Sequence, residues 1–244
     1  MFKKLLLCFS LLATQTQVIQ SIQLFNETIG NTLITVCSES RYDISSASTQ
    51  AIVNPANSML GHYAGVAWAI SCAAGEQLQE WSDAIPLENG VVVPLGQAVI
   101  SPSFNLKAKG IEFIVHTVGP DFRDPVQQQE GAMHLYNAWY NALVVAHNYG
   151  IRSITFPSIS TGIFNCPQDL AAQQAYCAIH DFLRDYPETS IKKIVIGLWS
   201  DTWDAYKTYF SVTAPEKSKS IKKINGVFSC LQAIKNYCCF WDWL

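Results

Sequence analysis

The segment FPSISTGIFNCP, residues Phe156–Pro167, decides how the rest of the chain is read. It follows a short run rich in β-branched residues, Ser153–Phe156, which reads as a strand. It precedes a run, Pro167–Tyr186, in which Ala175, Ile179, Phe182, Leu183 and Tyr186 recur at helical spacing. Pro167 suits the first turn of that helix, where its missing N–H costs nothing. Between strand and helix, Ser160, Thr161 and Gly162 offer consecutive N–H groups and hydroxyls, a nest suited to a phosphate or diphosphate. Gly162 lacks the Cβ that would block the oxygens, and Ile163 and Phe164 would cap the site with apolar surface. The segment is neither G-x-G-x-x-G nor a P-loop, so the common nucleotide-binding folds receive no support.

Outward from this segment the same alternation repeats. Thr32–Cys37, Ala51–Val53, Gly96–Ile100, Ile111–Val115 and Lys193–Leu198 also read as strands. In Gln128–Tyr149, Tyr136, Trp139, Tyr140, Leu143 and His147 mark one helical face, and Gly150 suits the helix end. Another helix is expected after Ser200 or Asp201, either of which suits an N-cap. Strands interleaved with helices predict a three-layer α/β/α domain on a mixed central sheet, spanning residues 22–212. In such sheets ligands bind beyond the carboxyl ends of the strands.

The loop after Ala51–Val53 is the second informative one. Asn54 and Asn57 flank Pro55-Ala56, which reads as a tight turn, and asparagine supplies the donors and acceptors that ribose hydroxyls require. Gly61, Ala64 and Gly65 would let a ligand approach the backbone, and a helix is expected to start near Gly65 with its N–H groups toward the loop. A plain strand–turn–helix connection is the alternative.

The ends of the chain differ in character. Lys3 and Lys4 precede the apolar run Leu5–Ala13, so residues 1–21 resemble a secretory signal. That reading points to export; an ordinary N-terminus on a cytoplasmic chain is the alternative. Residues 213–244 comprise a basic linker and an apolar, aromatic tail, which could pack on the domain or meet a protein or membrane. The net charge of −3 gives no general electrostatic grip on nucleic acid, so an anion must be held by local backbone geometry. The eight cysteines include no C-x-x-C pair and no zinc spacing. Cys8, Cys37, Cys72, Cys166 and Cys177 read mostly as free and buried, while Cys230, Cys238 and Cys239 could form disulfides on export.

Taken together, Asn54-Pro55-Ala56-Asn57, Gly61-His62-Tyr63-Ala64-Gly65-Val66, His116-Thr117-Val118-Gly119-Pro120 and Ser160-Thr161-Gly162-Ile163-Phe164 resemble, in order and spacing, the motifs of the macro-domain family. The resemblance implies ADP-ribose, or an ADP-ribosylated protein, as partner, and needs no cofactor. It implies that Asp43, beside Ile44, bonds the adenine amino group, and that Trp199 stacks on adenine; a turn residue and a core tryptophan are the plain alternatives. Gly65 and Val66 would line the diphosphate channel. Ser160, Thr161, Gly162, Ile163 and Phe164 would wrap the diphosphate, with Phe164 against the distal ribose. Asn57 would hold that ribose and, in hydrolytic members, place the attacking water, which makes it the candidate catalytic residue.

Several departures bear on activity. Tyr63 and Ala64 stand where glycines are usual, so that Tyr63 either narrows the channel or turns outward. Ala67 stands where one hydrolytic branch carries a catalytic aspartate, although some active members also have alanine there. Asn165-Cys166 replaces a Gly-aromatic pair; Cys166 reads as a helix-entry residue, with a nucleophile as the bolder option. His62 reads as a surface residue or a ribose-orienting one, and His116 as structural. An ADP-ribosyl hydrolase acting on mono-ADP-ribosyl-protein or a related ester leads. A non-catalytic ADP-ribose reader and a protein-interaction scaffold are the alternatives.

Overall fold

The computed structural model describes residues 23–211. The signal-like segment, the linker and tail, and Cys8, Cys230, Cys238 and Cys239 lie outside the described residues. Seven strands run β1 (Gln23–Ile29), β2 (Thr32–Glu39), β3 (Ala51–Ala56), β4 (Ala98–Pro102), β5 (Phe113–Val118), β6 (Ser153–Phe156) and β7 (Lys193–Trp199). They form one sheet in the order β1-β2-β7-β6-β3-β5-β4. β2, β7, β6, β3 and β5 are parallel, and β1 and β4 close the two edges antiparallel. The helices are α1 (Gly65–Ala74), α2 (Gln77–Asp83), α3 (Pro125–Gln129), α4 (Gly131–Asn148), α5 (Gln168–Asp185) and α6 (Trp203–Phe210).

The strand period of two builds the layers. Ala51, Val53 and Val115 point into one core with residues of α4, α5 and α6, whereas Ile52 and Ile114 point into a second core with Ile70, Ala74 and Leu78 of α1 and α2. The expected three-layer α/β/α architecture follows from this division. Both faces of the central strands are covered, which is why β7 reads as a nearly continuous apolar run from Ile194 to Trp199. Trp139 of α4 stacks on Phe156 at the end of β6, ring centroids 4.5 Å apart, and both are fully buried. This pair fixes the floor from which the FPSISTGIFNCP loop departs.

Several sequence expectations shift. β1 was not expected, because Asn26, Glu27 and Thr28 interrupt its apolar pattern; as an edge strand it packs Phe25 and Ile29 against the core. Gly96 and Ile111 precede β4 and β5 rather than open them. Gly96 has φ +79 and turns into β4 while its N–H bonds Val118 O, and Ile111 is a buried loop residue after left-handed Gly110. The helix expected from Gln128 is two helices, broken at Glu130. Gly131, which opens the second, leaves space taken by the Phe122 ring. Pro167 sits one residue before α5 rather than in its first turn. Thr202, not Ser200 or Asp201, occupies the N-cap position of α6, after a 3-10 turn at Ser200–Thr202. Pro55 and Ala56 continue β3 instead of forming a turn. β6 pairs with β3 only at Ala51 and Ile52, so the N–H that Pro55 lacks has no partner strand to miss. The described cysteines are thiols; Cys37 and Cys166 are buried as expected, but Cys72 is exposed on α1.

Candidate functional site

A cleft of about 550 Å³ opens across the carboxyl ends of β2, β7, β6 and β3. Ile44, Asn57, Gly65, Val66, Ser160, Thr161, Gly162, Ile163, Phe164 and Trp199, all singled out from the sequence, line it. So do Tyr42, Gly61, Tyr63, Ala67 and Asp201, among others. No lysine or arginine belongs to the lining. A bound anion must therefore be met by backbone N–H groups and neutral side-chain donors such as Asn57 and Thr161.

The loop between β6 and α5 supplies them. Ser160 (φ +64) and Asn165 (φ +53) take left-handed conformations at its two ends. Asparagine tolerates this region better than most side chains, so Asn165 replaces a glycine at little cost. Asn165 N–H bonds Gly162 O, Cys166 N–H bonds Ser160 O, and Phe122 N–H bonds Phe164 O, which closes the loop on itself and on the chain after β5. Ser158 Oγ meets the buried Tyr206 hydroxyl of α6 at 2.9 Å. The N–H groups of Thr161, Gly162, Ile163 and Phe164 meet no acceptor among the described residues. A Cβ built on Gly162 meets nothing, so this residue faces open space in the cleft. The Ser160 hydroxyl is buried without a partner and lies where a Cβ on Gly119 would stand.

On the other side, α1 begins at Gly65, whose φ of +61 demands glycine. The first intrahelical donor is Trp68, so the N–H groups of Gly65, Val66 and Ala67 remain open at the helix's positive end. Ala64 is extended (φ −155), a conformation open to any residue, so the alanine in a glycine position changes little. Tyr63 turns outward and is 80% exposed. The channel is not narrowed by it.

Asn57 does not stand free in the cleft. Its Nδ2 donates to Gly61 O at 2.8 Å, and its Oδ1 accepts from Met59 N–H and Gly61 N–H. The amide braces the loop and keeps one N–H for a ligand. Asp43 is placed differently from expectation. It is exposed, is absent from the lining, and caps the 3-10 turn Ile44–Ser46 through the Ser45 N–H and the Ser45 and Ser46 hydroxyls. Partial burial opposes its ionisation, but those bonds and Lys109 outweigh this and hold the carboxyl below its usual range. Tyr42, its neighbour, is the residue that sequence reading missed. Its ring occupies the space beside Gly197 of β7, and a glycine inside an otherwise β-branched strand was the available signal. Trp199 is 44% exposed, donates from Nε1 to Tyr42 O and lies under the Arg41 guanidinium. It is a cleft residue, not a core one.

His62 is neither on the surface nor in the lining: it is buried. Asn54 Nδ2 lies 3.2 Å from His62 Nδ1 and 3.0 Å from His116 Nδ1. An amide nitrogen only donates, so both Nδ1 atoms accept and both rings are neutral, with the proton on Nε2. The Nε2 atoms meet Ser82 Oγ and Ser101 Oγ, whose own hydrogens go to Leu78 O and Pro102 O. Trp81 stacks over His116. Burial pushes the His116 pKa down to about 3, and burial lowers that of His62 as well. Cys166 is buried, its thiol pushed up to about 12 by desolvation, so no thiolate is present to attack. Cys166→Ala is expected to leave any hydrolytic rate within about twofold of the parent, measured as initial rates; loss of activity would restore the nucleophile reading.

A model of the macro domain matches residues 53–175. An uncharacterized protein of Thermotoga maritima is 41% identical over 171 residues, 70% of this chain; the chain spans only 28% of that relative's length. A protein of Salmonella typhimurium named O-acetyl-ADP-ribose deacetylase is 40% identical over 144 residues, 59% of this chain and 77% of the relative. Among solved structures, the Oceanobacillus iheyensis macrodomain with ADP superposes with a TM-score of 0.68 at 28% identity, covering 84% of this chain and 99% of that one. A mutant of the same macrodomain was solved with ADPR. The matched residues contain the cleft's two principal loops, and on these grounds the chain belongs to the macro domain family.

Proposed function

We propose that the cleft binds ADP-ribose and that the chain hydrolyses mono-ADP-ribosyl-protein or a related ADP-ribose ester. The observation that carries this reading is the pair of facing donor sets, Thr161–Phe164 and Gly65–Ala67, in a cleft without lysine or arginine. Between them a diphosphate meets N–H groups from both sides. Tyr42, Ile44 and Trp199 give the β2–β7 end an apolar and aromatic character that suits adenine. The Asp43 carboxylate, held on its own turn by Ser45 and Ser46, would have to exchange those bonds to meet the adenine amino group. Asn57 and Phe164 then flank the distal ribose. The solved relatives with ADP and ADPR, and the relative named as a deacetylase, support the same reading.

No carboxylate or imidazole lines the cleft at the Asn57 end; Asp201, on the β7 side, is the only acid in the lining. The substrate's own phosphate therefore serves as base. Water, oriented by the remaining Asn57 N–H, bonds to the anomeric carbon of the distal ribose. The ribosyl–acceptor bond breaks, and the proton passes through the phosphate to the departing acceptor. The same lack of a protein base favours a second reading, a binder without turnover.

Incubation with mono-ADP-ribosylated protein, following release of the label, separates them. Release supports the hydrolase; micromolar ADP-ribose binding without release makes the chain a reader, and no binding leaves only a scaffold. Asn57→Ala is expected to slow release by roughly tenfold or more, since it removes a donor that positions water. Asn57→Asp keeps both acceptor bonds to the loop but removes both donors, setting a carboxylate oxygen against Gly61 O, and is expected to show at least the same loss. A variant as fast as the parent rules out this role for Asn57.

A further inference from the structure

The rim of the cleft beside Asn57 carries large exposed apolar side chains. Asn57 clamps Gly61 through both its N–H and its carbonyl. The Tyr63 ring then rests in the space that a Cβ on Gly61 would fill. Tyr63 is thus held by packing, yet it is 80% exposed. Trp68, whose N–H bonds Ala64 O one turn further on, is 56% exposed, and Ile163, across the channel from Gly65, is 51% exposed. From residue 57 to residue 75 the chain carries no Lys, Arg, Asp or Glu. Large apolar side chains left exposed in an uncharged stretch beside a cleft mark a contact surface more often than they mark an accident of composition.

The position of this surface says what it meets. With adenine at the Trp199 end and the diphosphate between the two loops, the distal ribose lies at the Asn57 end, and whatever is joined to that ribose leaves the cleft past Tyr63. We propose that Tyr63 and Trp68 determine substrate specificity by contacting the polypeptide that carries the ADP-ribose, and that they favour apolar or aromatic residues flanking the modified position. This inference rests on the reading of the cleft as an ADP-ribose site. Two aromatic faces give contact area at low entropic cost, and the uncharged stretch 57–75 offers nothing to acidic or basic flanks on the Tyr63 side of the cleft; the Arg123–Asp121 pair lies on the other side, over Phe164.

The test uses the full chain and three substrates. Two are mono-ADP-ribosylated peptides with the same acceptor and linkage, one flanked by Leu and Phe and the other by Glu and Lys. The third is O-acetyl-ADP-ribose, which has no polypeptide. The apolar-flanked peptide is expected to exceed the charged one by roughly tenfold in kcat/KM, or in Kd if the chain binds without turnover. Tyr63→Ser and Trp68→Ser are each expected to reduce that preference to roughly threefold or less. Trp68→Ser, outside the cleft, should leave O-acetyl-ADP-ribose unaffected. Equal handling of the two peptides overturns the inference, as do variants that slow the small substrate as much as the peptide. So does a homodimer in solution that covers Tyr63. Failure of free ADP-ribose to bind overturns the reading of the cleft and this inference with it; ADP-ribose binding without a flank preference overturns the inference alone.

Discussion

Between about pH 7.5 and about pH 5 the free energy of unfolding is expected to fall by about 2 kcal/mol through His116 alone. Burial depresses the folded-state pKa of His116 to about 3, against the ordinary imidazole value of 6.5. Above pH 7 the ring is neutral in both states and titration contributes nothing. As pH falls through 6.5 the unfolded chain takes up a proton that the folded one refuses, so stability declines until the folded pKa is reached. His62 is depressed too and acts in the same direction, tempered by Asp83. The groups that face the two rings are Asn54 of β3, Ser82 and Trp81 of α2 and Ser101 of β4, so only Asp83 offers a compensating charge. Protonation of either Nδ1 sets a donor against the Asn54 amide, which leaves a buried polar group unpaired. Urea midpoints at the two pH values measure the effect. A midpoint that stays constant would falsify the neutral-network reading, and imidazole nitrogen shifts would report the Nε2–H tautomers directly.

Gly119→Val is expected to weaken ADP-ribose binding by roughly thirtyfold, about 2 kcal/mol. A Cβ on Gly119 would overlap the Ser160 hydroxyl and stand 2.6 Å from Ile159 Cγ2. The serine hydroxyl can rotate, but Ile159 is fully buried and branched at Cβ, so the backbone must shift. The shift falls at the entry of the donor loop, where Ser160 already holds a left-handed conformation. Displaced N–H groups lose their aim at the diphosphate, and aim is what a nest contributes. Calorimetric titration with ADP-ribose gives the affinity, and a melting curve separates a weakened site from a weakened fold. Parental affinity in a folded variant would show that Gly119 does not set the loop.

The parts of the site that could be read in the sequence are those whose chemistry is local. Ser160–Phe164 lies between a strand and a helix, and Gly65–Val66 opens the helix that follows β3, so their position at the strand ends is implied by order alone. β6 and β7 were legible because both faces are buried and the strands are short runs of β-branched and apolar residues. What escaped depends on distant partners. Tyr42 is placed by a bare Cα on β7. His62 looks like a loop residue until Asn54, Ser82 and His116, from three other elements, enclose it. Asp43 keeps its carboxylate on its own turn, a competition between local and ligand bonds that a motif match does not reveal. Pro55 reads as a turn because its tolerance depends on where β6 stops pairing.

The cleft draws on residues from Tyr42 to Thr202, contributed by the ends of four strands and the first turn of α1. No single hairpin or helix pair holds enough of it to bind. Any ligand of the cleft therefore recognises only a chain in which β2, β7, β6, β3 and α1 are assembled together, and its binding energy opposes loss of any of these elements. At ligand concentrations about a hundredfold above Kd, that linkage adds about 2.7 kcal/mol to the native state. The intracellular or extracellular lifetime of the chain against proteases, which attack opened forms, would then rise and fall with the supply of its ligand.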